Sequence, residues 1–177
     1  MIGNNLFGKL FVTDRYFTIA IRKKRKKNLF RQDKFIPDFI TPASRERWVA
    51  DPMLIDANGK TYLFYESVLG DKGHIEVAEV REDCTVGESK IILQDVCHYS
   101  YPFVFSYKGE WYMIPESSAD NEVRLYKSVH FPEQWMMRAV LLHGKAVDTT
   151  VFEQDGQLYL ITFFLGEKSE KVIPHAY

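Results

Sequence analysis

The chain has 177 residues, with 23 Lys plus Arg against 24 Asp plus Glu and a formal net charge of −1. That balance argues against a dedicated nucleic-acid binder, whose footprint is a basic excess. A hydrophobic share of 46% excludes wholesale disorder, and 15% aromatics fits rings stacked on sheets or lining sugar sites.

Residues 1–47 form a leading segment of strands and a basic loop. LFGKLFVTD and YFTIAIR read as strands, and RKKRKK at 22–27 separates them from FRQDKFIPDFITP. Six successive cations can tag a nucleus or a membrane surface, but the balanced overall charge favours a solvated loop. No early basic residues precede a long apolar core, so no secretion signal is expected. No stretch approaches the ~20 apolar residues of a membrane span. Cys84 and Cys97 lie 13 apart with no CxxC partner, which reads as two reduced thiols in a cytoplasmic protein.

From residue 48 to 177 the chain repeats itself. ADPMLIDANGKTYLFYE (50–66), SYPFVFSYKGEWYMIPE (100–116) and VDTTVFEQDGQLYLITF (147–163) align on Gly59, Gly109 and Gly156. Each copy is an apolar strand, an Asn-Gly, Lys-Gly or Asp-Gly turn, and a second strand rich in Tyr, Leu and Phe. That is a hairpin signal, with glycine supplying the positive φ of a tight turn. Between hairpins lie HIEVAEV (74–80), SKIILQDV (89–96), EVRLYKSV (122–129) and MMRAVLLH (136–143). Each period therefore holds four strands. Helical spacing never persists, apart from a short turn near 131–134.

A four-stranded unit recurring every ~40–50 residues is the pattern of a propeller blade. The expected fold is all-β, a partial five-bladed β-propeller of four-stranded antiparallel blades. About two and a half blades fit in 48–177, whereas five at the chain's own period need roughly 240 residues. The ring is thus expected to be truncated, or to close with a second copy or a partner supplying the missing blades.

In a propeller the first strand of each blade lines the central channel. Asp51, Tyr101 and Asp148 begin those strands, and Glu66 and Glu116 end the strands that return beside them. His98 and Tyr99 stand just before the second blade. The expected rim holds four carboxylates and a tyrosine. Paired carboxylates are what glycoside hydrolysis needs, and crowding splits their pKa values. Asp51, Glu116 and Asp148 are the candidate catalytic groups; Glu66, His98, Tyr101 and Arg124 are the candidate ligand-binding groups. Arg124 would also offset the acidic rim. Such a funnel suits a polyhydroxylated sugar or a divalent cation such as calcium in the channel, though no cofactor is demanded. Asp51 and Asp148 serve equally well as caps that accept backbone N–H bonds at strand starts.

The ordered series WVADPMLID-NGKTYLFYE, KGHI, HYSYPFVFSYKGEWYMIPES, EVRLYKS, FPEQW, VLLHG and AVDTTVFEQDGQLYLIT resembles the N-terminal propeller-like domain of glucosamine inositolphosphorylceramide transferases. Similar modules occur in bacterial sugar-biosynthesis proteins. The resemblance covers about residues 16–165. It implies an accessory module in glycan or glycolipid biosynthesis that meets a sugar or glycolipid headgroup, because glycosyl transfer in those proteins is attributed to a separate C-terminal domain. More distantly, the blades resemble five-bladed arabinanase, xylosidase and fructosidase glycosidases. In those, an Asp beginning the first inner strand is the general base, a position matched by Asp51, while Tyr101 departs from the Asp of the second blade. The readings carried forward are a carbohydrate-binding module, a glycosidase-like hydrolase with Asp51 as base, and a structural or protein-interaction propeller.

Overall fold

The computed structural model describes residues 17–21, 38–39, 47–166 and 173–176, and these are all-β with a single 3-10 turn at Ser118–Asp120. The basic run at 22–27 and the strand-like run before residue 16 lie outside the described residues. β1 (Ala20–Ile21) pairs antiparallel with β2 (Asp38–Phe39). The first full sheet is β3 (Arg47–Ala57), β4 (Lys60–Leu69), β5 (Lys72–Val80) and β6 (Lys90–Leu93), in that spatial order. The second is β7 (Ser100–Tyr107), β8 (Glu110–Glu116), β9 (Glu122–His130) and β10 (Gln134–His143). The third is β11 (Ala146–Gln154), β12 (Gln157–Phe164) and β13 (Ile173–Ala176). Every pairing is antiparallel between chain neighbours, the meander expected of a blade.

The three expected hairpins open each sheet. Their turns are Asn58-Gly59, Lys108-Gly109 and Asp155-Gly156, with both residues at positive φ in every case. That backbone matches the right-handed twist of the flanking strands and explains the choice of residues. Three details differ from the sequence reading. β4 continues past Glu66 to Leu69, β6 is confined to four residues, and the stretch after the third hairpin supplies β13. The third hairpin therefore has an outer partner strand along Ile161–Phe164.

The core lies between the sheets rather than within one. Phe64, Ile75 and Val77 of the first sheet meet Val104, Met113 and Tyr126 of the second. Ile114 and Val123 of the second sheet meet Ala146, with Val151, Leu160 and Phe164 packed beside them. On the other face of the first sheet, Val49, Leu63, Tyr65 and Ala78 cover Ile19. Strand side chains alternate between faces, so Phe64 serves one interface and Leu63 and Tyr65 the other. Middle strands packed on both faces read as continuous apolar runs, as β4 does. The inner strands β3, β7 and β11 are successive neighbours, and Val104 N–H reaches Met53 Sδ at 3.1 Å across the first junction.

Candidate functional site

All three inner strands carry the same irregularity. Asp51 and Pro52 face Tyr65 alone, Tyr101 and Pro102 face Pro115, and Asp148 and Thr149 face Thr162. Each is a β-bulge whose first residue is left-handed, with φ of 50° at Asp51, 43° at Tyr101 and 52° at Asp148. Side chains other than glycine pay roughly 1–2 kcal/mol for that conformation. Proline at the second position is tolerated because a bulge leaves that N–H unpaired. The bulge re-aims the side chain of its first residue.

The bulges hold one another through carboxylates. Tyr101 N–H donates to Asp51 Oδ2 at 3.2 Å, so the first sheet captures the bulged backbone of the second. Asp148 N–H likewise donates to the Glu116 carboxyl, and the Ser118 hydroxyl donates to Glu116 Oε1 at 2.8 Å. Asp51 and Glu116 thus do accept backbone N–H bonds, but from the neighbouring sheet rather than from their own strand. The tertiary arrangement brings Asp51, Glu66, Tyr101, Glu116 and Asp148 into one acidic cluster, as their mutual electrostatic effects show.

Glu66 is the most perturbed member. It is 4% exposed, and burial, the Asp51 charge, a hydrogen bond with Asp51 and the Glu116 charge push its carboxyl up to about 8. It therefore keeps its proton at neutral pH beside Asp51. Glu116 is pushed up by burial and by Asp148 and Asp51, against the Ser118 and Asp148 hydrogen bonds. Asp148, the most open of the group, is raised by partial desolvation and by Asp51. The Tyr101 phenol rises through burial and the charge of Asp148, while a hydrogen bond with Thr150 opposes the shift.

His98 completes this wall. Its Nδ1 accepts the Gly73 N–H at 3.1 Å, which leaves the proton on Nε2, 3.1 Å from Glu66 Oε1. Gly73 is required here. A Cβ would meet the Tyr99 carbonyl, with His98 Nε2 at 2.8 Å and Glu66 Oε1 at 3.0 Å.

Arg124 is engaged elsewhere. Its guanidinium donates to Asp120 at 2.5 Å, Glu122 at 2.7 Å and the Tyr99 hydroxyl at 3.0 Å. Tyr99 in turn donates to Asp95 and shares a hydrogen bond with Tyr126. This is a second polar network beside β9. Cys97 is buried in it, and burial and Asp120 push its thiol up to about 12, so it is a poor nucleophile. Cys84 and Cys97 are both free thiols. Among the described residues, no group of three or more His, Cys, Asp or Glu is arranged to hold a metal ion. No helix among them is long and apolar enough to cross a membrane.

Two aromatic residues complete the site and were not singled out in the sequence. A cavity of about 460 Å³ opens over Asp51, Pro52 and Glu66, and its other wall is Phe17 and Trp48. The two rings lie 5.7 Å apart, and Val49 N–H to the Phe17 carbonyl ties the short 17–21 segment to β3. Trp48 stands three residues before Asp51, and that aromatic-to-acid spacing was the available signal. Phe17 carried none, because only the return of the chain places it there.

Residues 39–172 match the family described as glucosamine inositolphosphorylceramide transferase 1, N-terminal. A protein of that name from Arabidopsis thaliana is 37% identical over 117 residues, covering 64% of this chain and 15% of the longer protein. This chain therefore spans a small part of the curated relatives it matches. Among solved structures, an endo-1,4-β-xylanase from Bacteroides thetaiotaomicron aligns with a TM-score of 0.60 at 14% identity, over 81% of this chain and 62% of that one. A β-xylosidase aligns with a TM-score of 0.58 at 15% identity, over 83% and 56%. At such identities the likeness establishes a propeller-like fold and nothing of the chemistry.

Proposed function

Starting from a chain that belongs to the family of the glucosamine inositolphosphorylceramide transferase 1 N-terminal region, we propose that it is a carbohydrate-binding accessory module in glycan or glycolipid biosynthesis. A sugar or glycolipid headgroup is its ligand. The observation that carries this reading is the cavity at the head of β3, with Phe17 and Trp48 on one side and Asp51 and Glu66 on the other. A pyranose offers an apolar face to aromatic rings and hydroxyl edges to carboxyl groups. The Glu66 proton is shared with Asp51, and the remaining carboxyl lone pairs of the two accept from sugar hydroxyls. The three sheets are read as successive blades of a five-bladed ring whose other blades come from another segment or another copy.

A glycan array followed by calorimetry on the best monosaccharide tests the binding. Trp48→Ala and Asp51→Asn should each weaken it about tenfold, a loss of about 1.4 kcal/mol, with unchanged circular dichroism. A chain that binds no glycan returns the protein to a structural or protein-interaction role.

The hydrolase reading has one specific support: Glu66 holds a proton at neutral pH beside Asp51, as a general acid must. Spacing weighs against Glu66 as the partner of Asp51, which leaves Glu116 and Asp148 as the candidate acids. Retaining glycosidases hold their carboxyls about 5–5.5 Å apart and inverting ones about 6.5–9.5 Å apart. Asp51 and Glu66 share a hydrogen bond, which leaves no room for an anomeric carbon between them. Turnover of aryl glycosides that vanishes in Asp51→Asn would promote hydrolysis over binding.

A further inference from the structure

We infer that His98 is a positioning residue of the cavity at the head of β3: its Nε2–H holds the Glu66 carboxyl in the orientation in which it meets Asp51. Asp51 and Glu66 line that cavity and His98 does not, so His98 acts through Glu66. The role rests on the reading of the cavity as the ligand site.

The surroundings leave the neutral imidazole one orientation and one tautomer. His98 and Tyr99 clamp onto the start of β5. Tyr99 N–H donates to the Gly73 carbonyl at 3.0 Å, and Gly73 N–H donates to His98 Nδ1 at 3.1 Å. A backbone N–H can only donate, so Nδ1 is the acceptor and Nε2 carries the proton. Turning the ring over would set one carbon against Gly73 N–H and another against Glu66, losing both contacts at once. The bare Gly73 lets the ring and the carboxyl approach, since a Cβ there would lie 2.8 Å from Nε2 and 3.0 Å from Glu66 Oε1. Nε2–H then donates to Glu66 Oε1 at 3.1 Å.

With Oε1 as acceptor, the proton that Glu66 keeps belongs on Oε2, where it serves the hydrogen bond shared with Asp51. Asp51 also accepts Tyr101 N–H at 3.2 Å. One chain of hydrogen bonds therefore runs from Gly73 through His98, Glu66 and Asp51 to the bulge of β7, across the junction between the first two sheets. The His98 side chain is 38% exposed and that of Glu66 is 5% exposed, so the imidazole also links the buried carboxyl to solvent. Glu66 is faced by Asp51 from β3 and Glu116 from β8, whose charges favour its neutral form. A donor favours the ionised form of the carboxyl it touches, so His98 opposes those two charges. The second junction holds its strand-end carboxyl in the same way, with the Ser118 hydroxyl donating to Glu116 Oε1 at 2.8 Å.

The two ring nitrogens can be tested separately. Asparagine offers Gly73 an acceptor near Nδ1 but does not reach Glu66. Glutamine offers Glu66 a donor near Nε2 but leaves Gly73 without its acceptor. The full chain is labelled with ¹³C at glutamate carboxyls and titrated without ligand, the Glu66 resonance being identified by its loss in Glu66→Gln. His98→Asn should raise the Glu66 midpoint by about one pH unit, the worth of one hydrogen bond to a charged group. His98→Gln should leave it near that of the unsubstituted chain. A residue that only clamps Gly73 gives the reverse order. That order, equal shifts in the two variants, or an unmoved midpoint in His98→Asn would each overturn the assignment. In the unsubstituted chain with ¹⁵N-labelled histidine, the His98 Nε2 resonance should move at the same midpoint as the Glu66 carboxyl. An Nε2 resonance indifferent to that titration overturns the assignment even if neither variant folds. Because no ligand is present, a chain that binds no glycan would defeat the reading of the cavity while these titrations still decide the role of His98.

Discussion

At the scale of single residues, the proton on Glu66 is the most consequential feature. A carboxyl that binds its proton more tightly in the folded chain stabilises the fold fully below its ordinary value of 4.5 and loses that stabilisation as pH rises through about 8. Glu116 and Asp148 are displaced in the same direction and steepen the fall. Thermal stability should therefore decline from mildly acidic to mildly basic pH, by a few kcal/mol at most for Glu66 (~1.4 kcal/mol per pH unit over which its protonation differs). Glu66→Gln keeps the hydrogen-bonding shape and removes the titration. Melting curves across that range should flatten in the variant, and an undiminished slope would assign the effect to another group. Gly73 gives a second residue-level expectation. Gly73→Ala drives a methyl into the Tyr99 carbonyl and the His98–Glu66 contact, whereas Gly59→Ala has no heavy atom within 4 Å and loses only its positive-φ freedom. The first should cost several-fold more stability than the second, about 1 kcal/mol, in urea unfolding.

At the scale of elements, the repeated bulge organises the site. Flat strands would point Asp51, Tyr101 and Asp148 by simple alternation. The left-handed first residue turns each of them, and a neighbouring carboxylate holds the turned backbone at Tyr101 and Asp148. Asp148 is the cleanest place to weigh the strain because it is exposed. Asp148→Gly should be nearly neutral, while Asp148→Val should destabilise by about 1–2 kcal/mol, since a β-branched residue resists positive φ. Equal effects in chemical denaturation would mean that the backbone there relaxes out of the bulge. The Asp-Pro and Tyr-Pro pairs inside strand-like runs were the visible trace of the bulges, because proline in an inner strand needs an unpaired position. The third copy, Asp-Thr, carries no such trace.

At the scale of the whole molecule, the sheets stack face to face, and the third sheet presents its outer face to solvent. Phe152 and Tyr159 stack at 4.9 Å on β11 and β12, and Phe152 (42%) and Phe163 (36%), on the same face as Tyr159, are exposed. The case for self-association rests on this face, since the edge of the third hairpin is covered by β13. Exposed apolar surface of this kind recruits a neighbour. Sedimentation velocity should show concentration-dependent association of the chain, relieved by Phe152→Glu with Phe163→Lys. A monomer at every concentration would remove the face as an interface.

The hairpins, their I′ turns, the four-strand period and the acidic rim were all determined by the sequence alone. Local rules govern them: apolar runs of strand length, a glycine where φ must be positive, and a fixed spacing that returns each strand end to the same rim. The sequence could not show that Arg124 would turn from the rim toward Asp120, Glu122 and Tyr99, nor that Phe17 would face Trp48. It could not show which carboxyl keeps a proton. Those outcomes depend on contacts that cross between strands and sheets, such as Arg124 with Tyr99, Phe17 with Trp48 and His98 with Glu66, and on burial that exists only once the sheets have stacked. Glu66 and Glu116 occupy equivalent places in the repeat, yet it is the packing of His98 and Gly73 around Glu66, and its closeness to Asp51, that sets it apart. Local pattern specifies the blades because each hairpin satisfies its own backbone, whereas the site belongs to the junctions between blades and appears only in the assembled fold.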